Sequence, residues 1–170
     1  MSQIIKLPKV NMFITAERVD TGEDRKGMLN IIGLFSAIKI PALPYTLENK
    51  SLVLVFSDYF EPTINIAVQV LDSDGFHVYE KKSTLNTNIP DWTKREGTSV
   101  YSARHIFSLP LKDLSFNRVD LYTIKLFLNG VEMEGNSLSL EILQNQTLEN
   151  LSDADINIKS LIKKHFSNEK

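Results

Sequence analysis

Cysteine is absent from this sequence of 170 residues. Its absence excludes a disulfide scaffold, a thiolate nucleophile and every cysteine-based zinc or iron-sulfur site. Packing must therefore stabilise the fold, and a hydrophobic content of 42% is enough for a core. Because about two-thirds of the unfolded surface is buried in a chain of this length, we predict one domain over residues 1–146, followed by a linker and a helix over residues 147–170.

An excess of charge of one sign is also missing, since 19 Lys and Arg residues balance 21 Asp and Glu residues and leave a net charge of -2. A charge this small gives nucleic acid or an anionic membrane no general attraction. No uninterrupted apolar run approaches the ~18 residues of a membrane span, and the N-terminal stretch MSQIIKLPKVNMF lacks the features of a signal peptide. We therefore expect a cytoplasmic protein that binds neither nucleic acid nor membranes.

Short segments with a β-strand pattern fill most of the chain. TINIAVQVL, residues 63–71, alternates at a period of two, as a half-buried strand does. Asp74-Gly75 and Asn129-Gly130 are strong signals for tight hairpin turns. Further strands are predicted over residues 10–19, 27–40, 51–57, 100–109 and 137–143. Since no helical pattern interrupts them, we predict an antiparallel β-sandwich of immunoglobulin-like or jelly-roll type with a short C-terminal α-helix.

The predicted helix follows Asn150, where the sequence NLSDADINIKSLIKKHFSNEK changes to a helical period. Ser152 is a good N-cap, Asp153 and Asp155 suit the first turn, and lysines lie towards the end, as the helix dipole favours. The apolar stripe of this helix supplies four candidate interaction residues, Ile158, Leu161, Ile162 and Phe166. Such a helix packs on its own domain, docks into a partner or lies on a membrane, and the sequence favours the first two.

Two short motifs suggest chemistry that their surroundings contradict. Asp20-Thr21-Gly22 has the letters of the aspartic-protease triplet, in which two aspartates share a proton across a dimer. The supporting element Ile31-Ile32-Gly33 follows too closely to leave room for intervening strands and a flap, so we interpret the triplet as part of a solvated hairpin loop. Asp72 and Asp74 could begin a calcium loop, but no second loop of aspartates is identifiable, and a plain hairpin turn is favoured.

The three histidines, His77, His105 and His165, each lack a second histidine or carboxylate at ligand spacing. No serine-hydrolase, phosphate-loop, dinucleotide or zinc-protease motif occurs. We therefore predict no catalytic, cofactor or metal site, and we expect that the protein is not an enzyme.

The segment NIPDWTKREGTSVYSARH, residues 88–105, has the composition of a recognition surface. An aromatic side chain with neighbouring cations on a loop offers broad apolar contact and a charged rim. The segment supplies five candidate interaction residues, Trp92, Lys94, Arg95, Tyr101 and Arg104. The alternative is that Trp92 folds back to fill the inside of a long loop.

The order of five stretches, NMFITAERVD, GMLNIIGLFSAIKIPALP, SLVLVFS, LDSDG and LYTIKLFLNG, resembles a family of uncharacterised bacterial β-sandwich proteins. The resemblance covers about residues 10–143 and is most specific over residues 29–35 with Pro41 and Pro44. It implies a sandwich and a bacterial, intracellular setting, and it carries over no catalytic residues because the function of that family is unknown. The predicted helix lies outside it.

The stretch from Gly27 to Pro44 is apolar at both odd and even positions, whereas a half-exposed strand would have one polar face. Either Gly33 marks a bulge that swaps the two faces, or the strand is covered on its outer side as well. We predict that this stretch is the central strand of the sandwich, with the C-terminal helix or a partner subunit over its outer face.

These observations favour a non-catalytic binding module that serves as an accessory or scaffold subunit of a bacterial system, with a protein as its partner. The alternative is a sandwich that binds a small ligand or carbohydrate through the Trp92 loop. Homo-oligomerisation is compatible with either function, because exposed edge strands are often covered by a second copy of the chain.

Overall fold

The computed structural model describes residues 7–21, 29–58, 63–86 and 105–145. Within these residues every helix or strand is a β-strand, which confirms the all-β prediction. The strands are β1 Lys9–Thr21, β2 Leu29–Leu34, β3 Ala37–Ile40, β4 Tyr45–Thr46, β5 Ser51–Ser57, β6 Thr63–Leu71, β7 His77–Asn86, β8 His105–Pro110, β9 Ser115–Phe116, β10 Leu121–Leu128 and β11 Val131–Gln144. The predicted C-terminal helix lies outside the described residues. Among those described, no helix is long and apolar enough to cross a membrane.

The strands form two sheets and a small ribbon. The first sheet has the order β2-β1-β5-β8, the second sheet has the order β3-β11-β10-β6-β7, and β4 pairs with β9. Neighbouring strands are antiparallel in every described pair except β11 and β3. That one parallel pair departs from the predicted antiparallel pattern, because the chain reaches β3 by crossing from the first sheet rather than through a hairpin.

Both predicted hairpin turns are present. Asp74-Gly75 lies in the turn that joins β6 to β7, and Asn129-Gly130 joins β10 to β11. The φ angles of Asn129 and Gly130 are 51° and 81°, and two consecutive positive values are what the tight hairpin turn requires. Local sequence chemistry therefore determines these two connections.

One apolar core lies between the two sheets. Leu52, Leu54 and Phe56 of β5 point into it from the first sheet. The opposing side chains of the second sheet come mainly from β6 and β10, namely Ile64, Ile66, Val68, Val70, Tyr122, Ile124, Leu126 and Leu128. The strand predicted from TINIAVQVL is thus confirmed with one buried face, and the shared core makes the two sheets a sandwich.

The β4–β9 ribbon closes one part of this core. Phe116 of β9 is fully buried, and its ring lies 4.7 Å from the ring of Tyr122. The backbone N–H of Leu47 donates to the carbonyl of Leu114 at 2.8 Å, and both leucines are buried. These short connections therefore add apolar side chains to the main core.

The stretch from Gly27 to Pro44 is not a central strand. Within the described residues it forms β2 at the edge of the first sheet and then β3 at the edge of the second. The two apolar faces arise because the chain changes sheets: Phe35 packs against the main core before the crossing, and Ile38 and Ile40 do so after it.

The bulge at Gly33, one of the two explanations offered for the apolar faces, is not present, because the β1–β2 pairing shows no register shift there. Ala16 and its cross-strand partner Leu34 share one face of the first sheet. Ile31 and its partner Val19 both pack against the buried cluster of Ala16, Val53 and Val55. The φ of Gly33 is 64°. The register of β1 and β2 is the same on both sides of Gly33, so its left-handed backbone accompanies no inserted residue.

Candidate interaction surface

The side of the first sheet that faces away from the main core is apolar. Strand alternation directs Val53 and Val55 of β5 to this side, opposite to Leu52 and Leu54. Val53 is 0% exposed and Val55 is 7% exposed. We call this side the outer face and define it by six residues, Met12, Ile14, Ala16, Val53, Val55 and Ile106.

The outer face is built by cross-strand rows. Met12 of β1 lies opposite Val55, and Val55 lies opposite Ile106 of β8. The next row is formed by Ile14, Val53 and Ser108. Opposite residues on neighbouring antiparallel strands have their Cβ atoms about 5 Å apart, so the first row is an apolar ridge three strands wide.

The second sheet has a different outer side. There Gln69 of β6 donates a hydrogen bond to Glu80 at 3.1 Å, and Thr84 of β7 donates to Asn65 at 3.0 Å. Polar side chains of this kind are what an antiparallel sheet presents to water. The second sheet also exposes Val78 and Leu121, but its row of Glu80, Gln69 and Lys125 is polar across three strands. The corresponding apolar row of the first sheet is suited to contact with another apolar group.

Two members of the ridge remain accessible. Met12 is 42% exposed and Ile106 is 41% exposed, and they flank the nearly buried Val55 on either side. Contiguous exposed apolar side chains on a protein surface mark sites of contact with other macromolecules. A sequence signal for this surface exists in SLVLVFS, because its five consecutive apolar residues, 52–56, are typical of a strand buried on both faces. Met12 and Ile106 themselves carry no such signal.

The nine candidate interaction residues named from the sequence lie outside the described residues. Trp92, Lys94, Arg95, Tyr101 and Arg104 belong to the undescribed range 87–104, and the four apolar residues of the predicted helix, Ile158, Leu161, Ile162 and Phe166, belong to 146–170. All nine therefore stay predictions. The first described residue after Arg104 is His105, which begins β8, so the predicted recognition segment is joined to the strand that carries Ile106.

The aspartates of the proposed calcium loop are held by an arginine. Arg118 contacts Asp72 at 3.0 Å, Asp74 at 2.9 Å and Asp120 at 2.8 Å. Asp72 also accepts hydrogen bonds from the backbone N–H groups of Asp74 and Phe76, as it would in a turn. No acidic or histidine cluster that could hold a metal occurs in the described ranges. Backbone hydrogen bonds from Asp72 to Phe76 and from Gly75 to Asp72 complete a hairpin turn at this position. Asp72 and Asp74 carry no sequence signal of their contact with Arg118, because tertiary folding brings Arg118 to them.

The ion-pair network around Arg118 also changes a pKa. Hydrogen bonds from the Ser73 side chain, the Ser73 backbone N–H and the Leu121 backbone N–H lower the pKa of Asp120, and the charge of Arg118 acts in the same direction. The Ser73 hydroxyl donates to Asp120 at 2.9 Å. This network ties the β6–β7 turn to the beginning of β10.

The aspartate triplet and the described histidines are not brought together into a site. Asp20 and Thr21 end β1 rather than lying in the predicted loop, because β1 continues in register with β2 to that point. Asp20 pairs with Arg18 at 2.5 Å. His77 is in the second sheet, whereas His105 is in the first sheet, where its ring stacks on Phe56 at 5.8 Å and burial lowers its pKa. The structure thus brings neither a second aspartate nor a second histidine to these residues within the part it describes.

Two clefts are lined in part by residues of β1. One has a volume of about 270 Å³ and is lined mainly by apolar residues such as Ile14, Leu34 and Leu138. The other has a volume of about 560 Å³ and contains Lys50 and Glu17, which pair with each other at 3.2 Å. Because the two charges are opposite and paired, Lys50 and Glu17 together add little net charge to the larger cleft.

The model of a family of unknown function, DUF6941, matches residues 11–141. This range covers more than half of the chain, so the chain belongs to that family. A comparison with curated proteins gave no match. The matched range includes all six residues of the outer face and ends before the predicted C-terminal helix.

Proposed function

We propose that this member of a family of unknown function is a non-catalytic β-sandwich interaction module that serves as an accessory or scaffold subunit in the bacterial cytoplasm. The observation that supports this function is the apolar ridge on the outer face of the first sheet. A sandwich that acted alone in water would present polar residues in such a row, as the second sheet does with Glu80, Gln69 and Lys125.

The ridge favours a protein partner over a polar ligand. Met12, Val55 and Ile106 carry no hydrogen-bonding group on their side chains, so a sugar or an ion gains nothing from them. An apolar surface that covers Met12 and Ile106 removes their remaining exposed area from water, and burial of a whole side chain of this size contributes about 1.5–3 kcal/mol. A partner with a matching apolar patch is the occupant that this chemistry fits.

The proposal is tested by affinity capture from the native host, read by mass spectrometry. Met12→Glu combined with Ile106→Glu places two charges on the ridge, and the partner recovered with the wild-type chain should then be lost. The matched control, Thr84→Glu with Ser137→Glu, adds the same charge at two exposed positions of the second sheet and should retain the partner. Equal recovery with both double variants would contradict the proposed contact surface.

The alternative function, binding of a small ligand or carbohydrate through the Trp92 loop, stays a prediction from the sequence. Trp92→Ala distinguishes it from the proposed function. If the alternative holds, this substitution abolishes binding in a carbohydrate or metabolite screen, whereas the Met12 and Ile106 substitutions leave that binding intact.

A further inference from the structure

The ends of the two sheets differ in how they are protected. An edge strand exposes unpaired N–H and C=O groups to which another chain can add, and natural edges carry charges, proline or short strands that prevent this. Among the strands of residues 7–21, 29–58, 63–86 and 105–145, the first sheet ends at β2 and β8, and the second ends at β3 and β7. These four edges can therefore be compared directly.

Three of the four edges carry protection. β7 includes the charged residues Glu80, Lys81 and Lys82. β8 ends at Pro110, which has no N–H to donate. β3 has only four residues and includes Lys39. Each of these edges is thus a poor template for pairing with another chain.

The edge at β2 carries none of these features. Its sequence, LNIIGL, has neither charge nor proline. Ile32 is 46% exposed and Leu34 is 68% exposed. Within the described ranges β2 pairs with β1 alone, so its other edge is an unprotected, apolar, strand-forming template.

We propose that the free edge of β2 pairs antiparallel with β2 of a second copy of this chain, which joins the two first sheets into one continuous sheet. This interface goes beyond the proposed function and is independent of it, because Met12 and Ile106 lie on β1 and β8. A protein can dimerise through β2 and still bind a partner on the ridge.

A second copy fits this edge because an antiparallel strand pair is self-complementary. With the two-fold axis perpendicular to the sheet, a residue and its copy lie on the same face. When the axis passes beside Ile31, each Ile31 faces its copy and each Asn30 faces Ile32 of the other chain. Both isoleucines at the axis then continue the apolar cluster against which Ile31 already packs.

The kink at Gly33 favours the register centred on Ile31 over the register centred on Ile32. An axis beside Ile32 would place Ile31 opposite Gly33, which has no side chain and lies at a φ of 64°. The register centred on Ile31 instead places the kink at the end of the paired segment. The proposal therefore predicts which side chains meet across the axis.

Light scattering coupled to size-exclusion chromatography over a concentration series tests the interface. The wild-type chain should be a dimer. Asn30→Lys with Ile32→Lys places lysines opposite each other in both copies and should raise the dissociation constant about tenfold or more, since like charges directly opposite destabilise a strand pair. Asn30→Glu with Ile32→Lys places opposite charges across the same positions and should restore the dimer.

The control substitutes two exposed residues at the same spacing on another edge strand, Thr84→Lys with Asn86→Lys on β7, and should leave the dimer unchanged. Circular dichroism verifies that each variant is folded. A wild-type chain that remains monomeric overturns the proposal. A dimer that persists in the double-lysine variant also overturns the proposal. So does an Asn30→Glu with Ile32→Lys variant that remains monomeric, because the proposed register places these opposite charges against each other.

Discussion

Val53 and Leu54 are consecutive residues of β5 whose side chains point to opposite faces of the first sheet, and both are buried, with 0% and 2% of their exposure remaining. Leu54 belongs to the core between the sheets, whereas Val53 belongs to a separate cluster with Ala16 and Val55. The first sheet therefore has an apolar environment on each side. The second sheet differs, because on its outer side the row of Glu80, Gln69 and Lys125 is polar across three strands.

The burial of Val53 predicts a stability cost for a polar substitution on the outer face. Val53→Thr keeps the shape of the side chain but places a hydroxyl in an apolar cluster, and we expect a loss of about 1–3 kcal/mol in the free energy of unfolding. Urea unfolding measures it. Val78→Thr on β7, where the valine is exposed, is the matched control and should change stability by less than about 0.5 kcal/mol. Equal effects at the two positions would contradict the buried environment of Val53.

The backbone at Gly33 predicts a second stability effect. Gly33→Ala introduces a Cβ at a φ of 64° and 2.5 Å from the Glu17 carboxylate, so we expect a loss of about 1–2 kcal/mol from the left-handed backbone. Adding Glu17→Ala removes the contact with the carboxylate and leaves the backbone cost. Thermal or urea unfolding of both variants checks this, and recovery of full stability in the double variant would show that the backbone makes no contribution.

The lowered pKa of Asp120 predicts a dependence of stability on pH. Because the folded pKa lies below the ordinary value of 3.8, the ionised carboxylate stabilises the fold above that value. The contribution is lost as the pH falls through the folded pKa. Asp120→Asn should therefore be less stable than wild type at neutral pH, and the difference should narrow as the pH falls below about 4.

Urea unfolding at a series of pH values checks the role of Asp120. Asp113→Asn, at an exposed aspartate before β9, is the control and should parallel the wild type throughout. A difference between Asp120→Asn and wild type that stays constant down to acid pH would show that the ionised carboxylate is not the stabilising group.

Deletion of residues 151–170 tests the sequence prediction that the C-terminal helix covers the outer face. If it does, the truncated chain exposes the cluster around Val53 and should bind more of the dye ANS than the full-length chain. Replacing Ile158, Leu161, Ile162 and Phe166 with serine in the full-length chain should increase dye binding similarly. Unchanged dye fluorescence in both proteins would rule out this helix as the cover.

The fold was most predictable where local chemistry decides it. Asn129-Gly130 and Asp74-Gly75 identify hairpins because their backbone preferences act within a few residues. The passage of the chain from β2 to β3 was missed, because β3 is held by parallel pairing with residues 141–144, about one hundred positions away in the sequence.

The site was less predictable than the fold. The ridge combines Met12, Val55 and Ile106 from three strands, and no sequence period links them. The role of Arg118 was overlooked for the same reason, since Asp72 and Asp74 meet it only in the folded chain. Sequence patterns report which face of a strand is apolar, whereas the identity of neighbouring strands depends on tertiary pairing.

The most direct test of the proposed contact surface is site-specific photo-crosslinking in the native host. A photoreactive amino acid at Met12 should form a covalent adduct with a partner protein. The same group at Thr84, which lies beside Asn65 on the outer side of the second sheet, should not. Digestion and mass spectrometry identify the joined peptide. Adducts with a partner from Thr84 and none from Met12 would contradict the assignment of the ridge as the surface through which this protein acts.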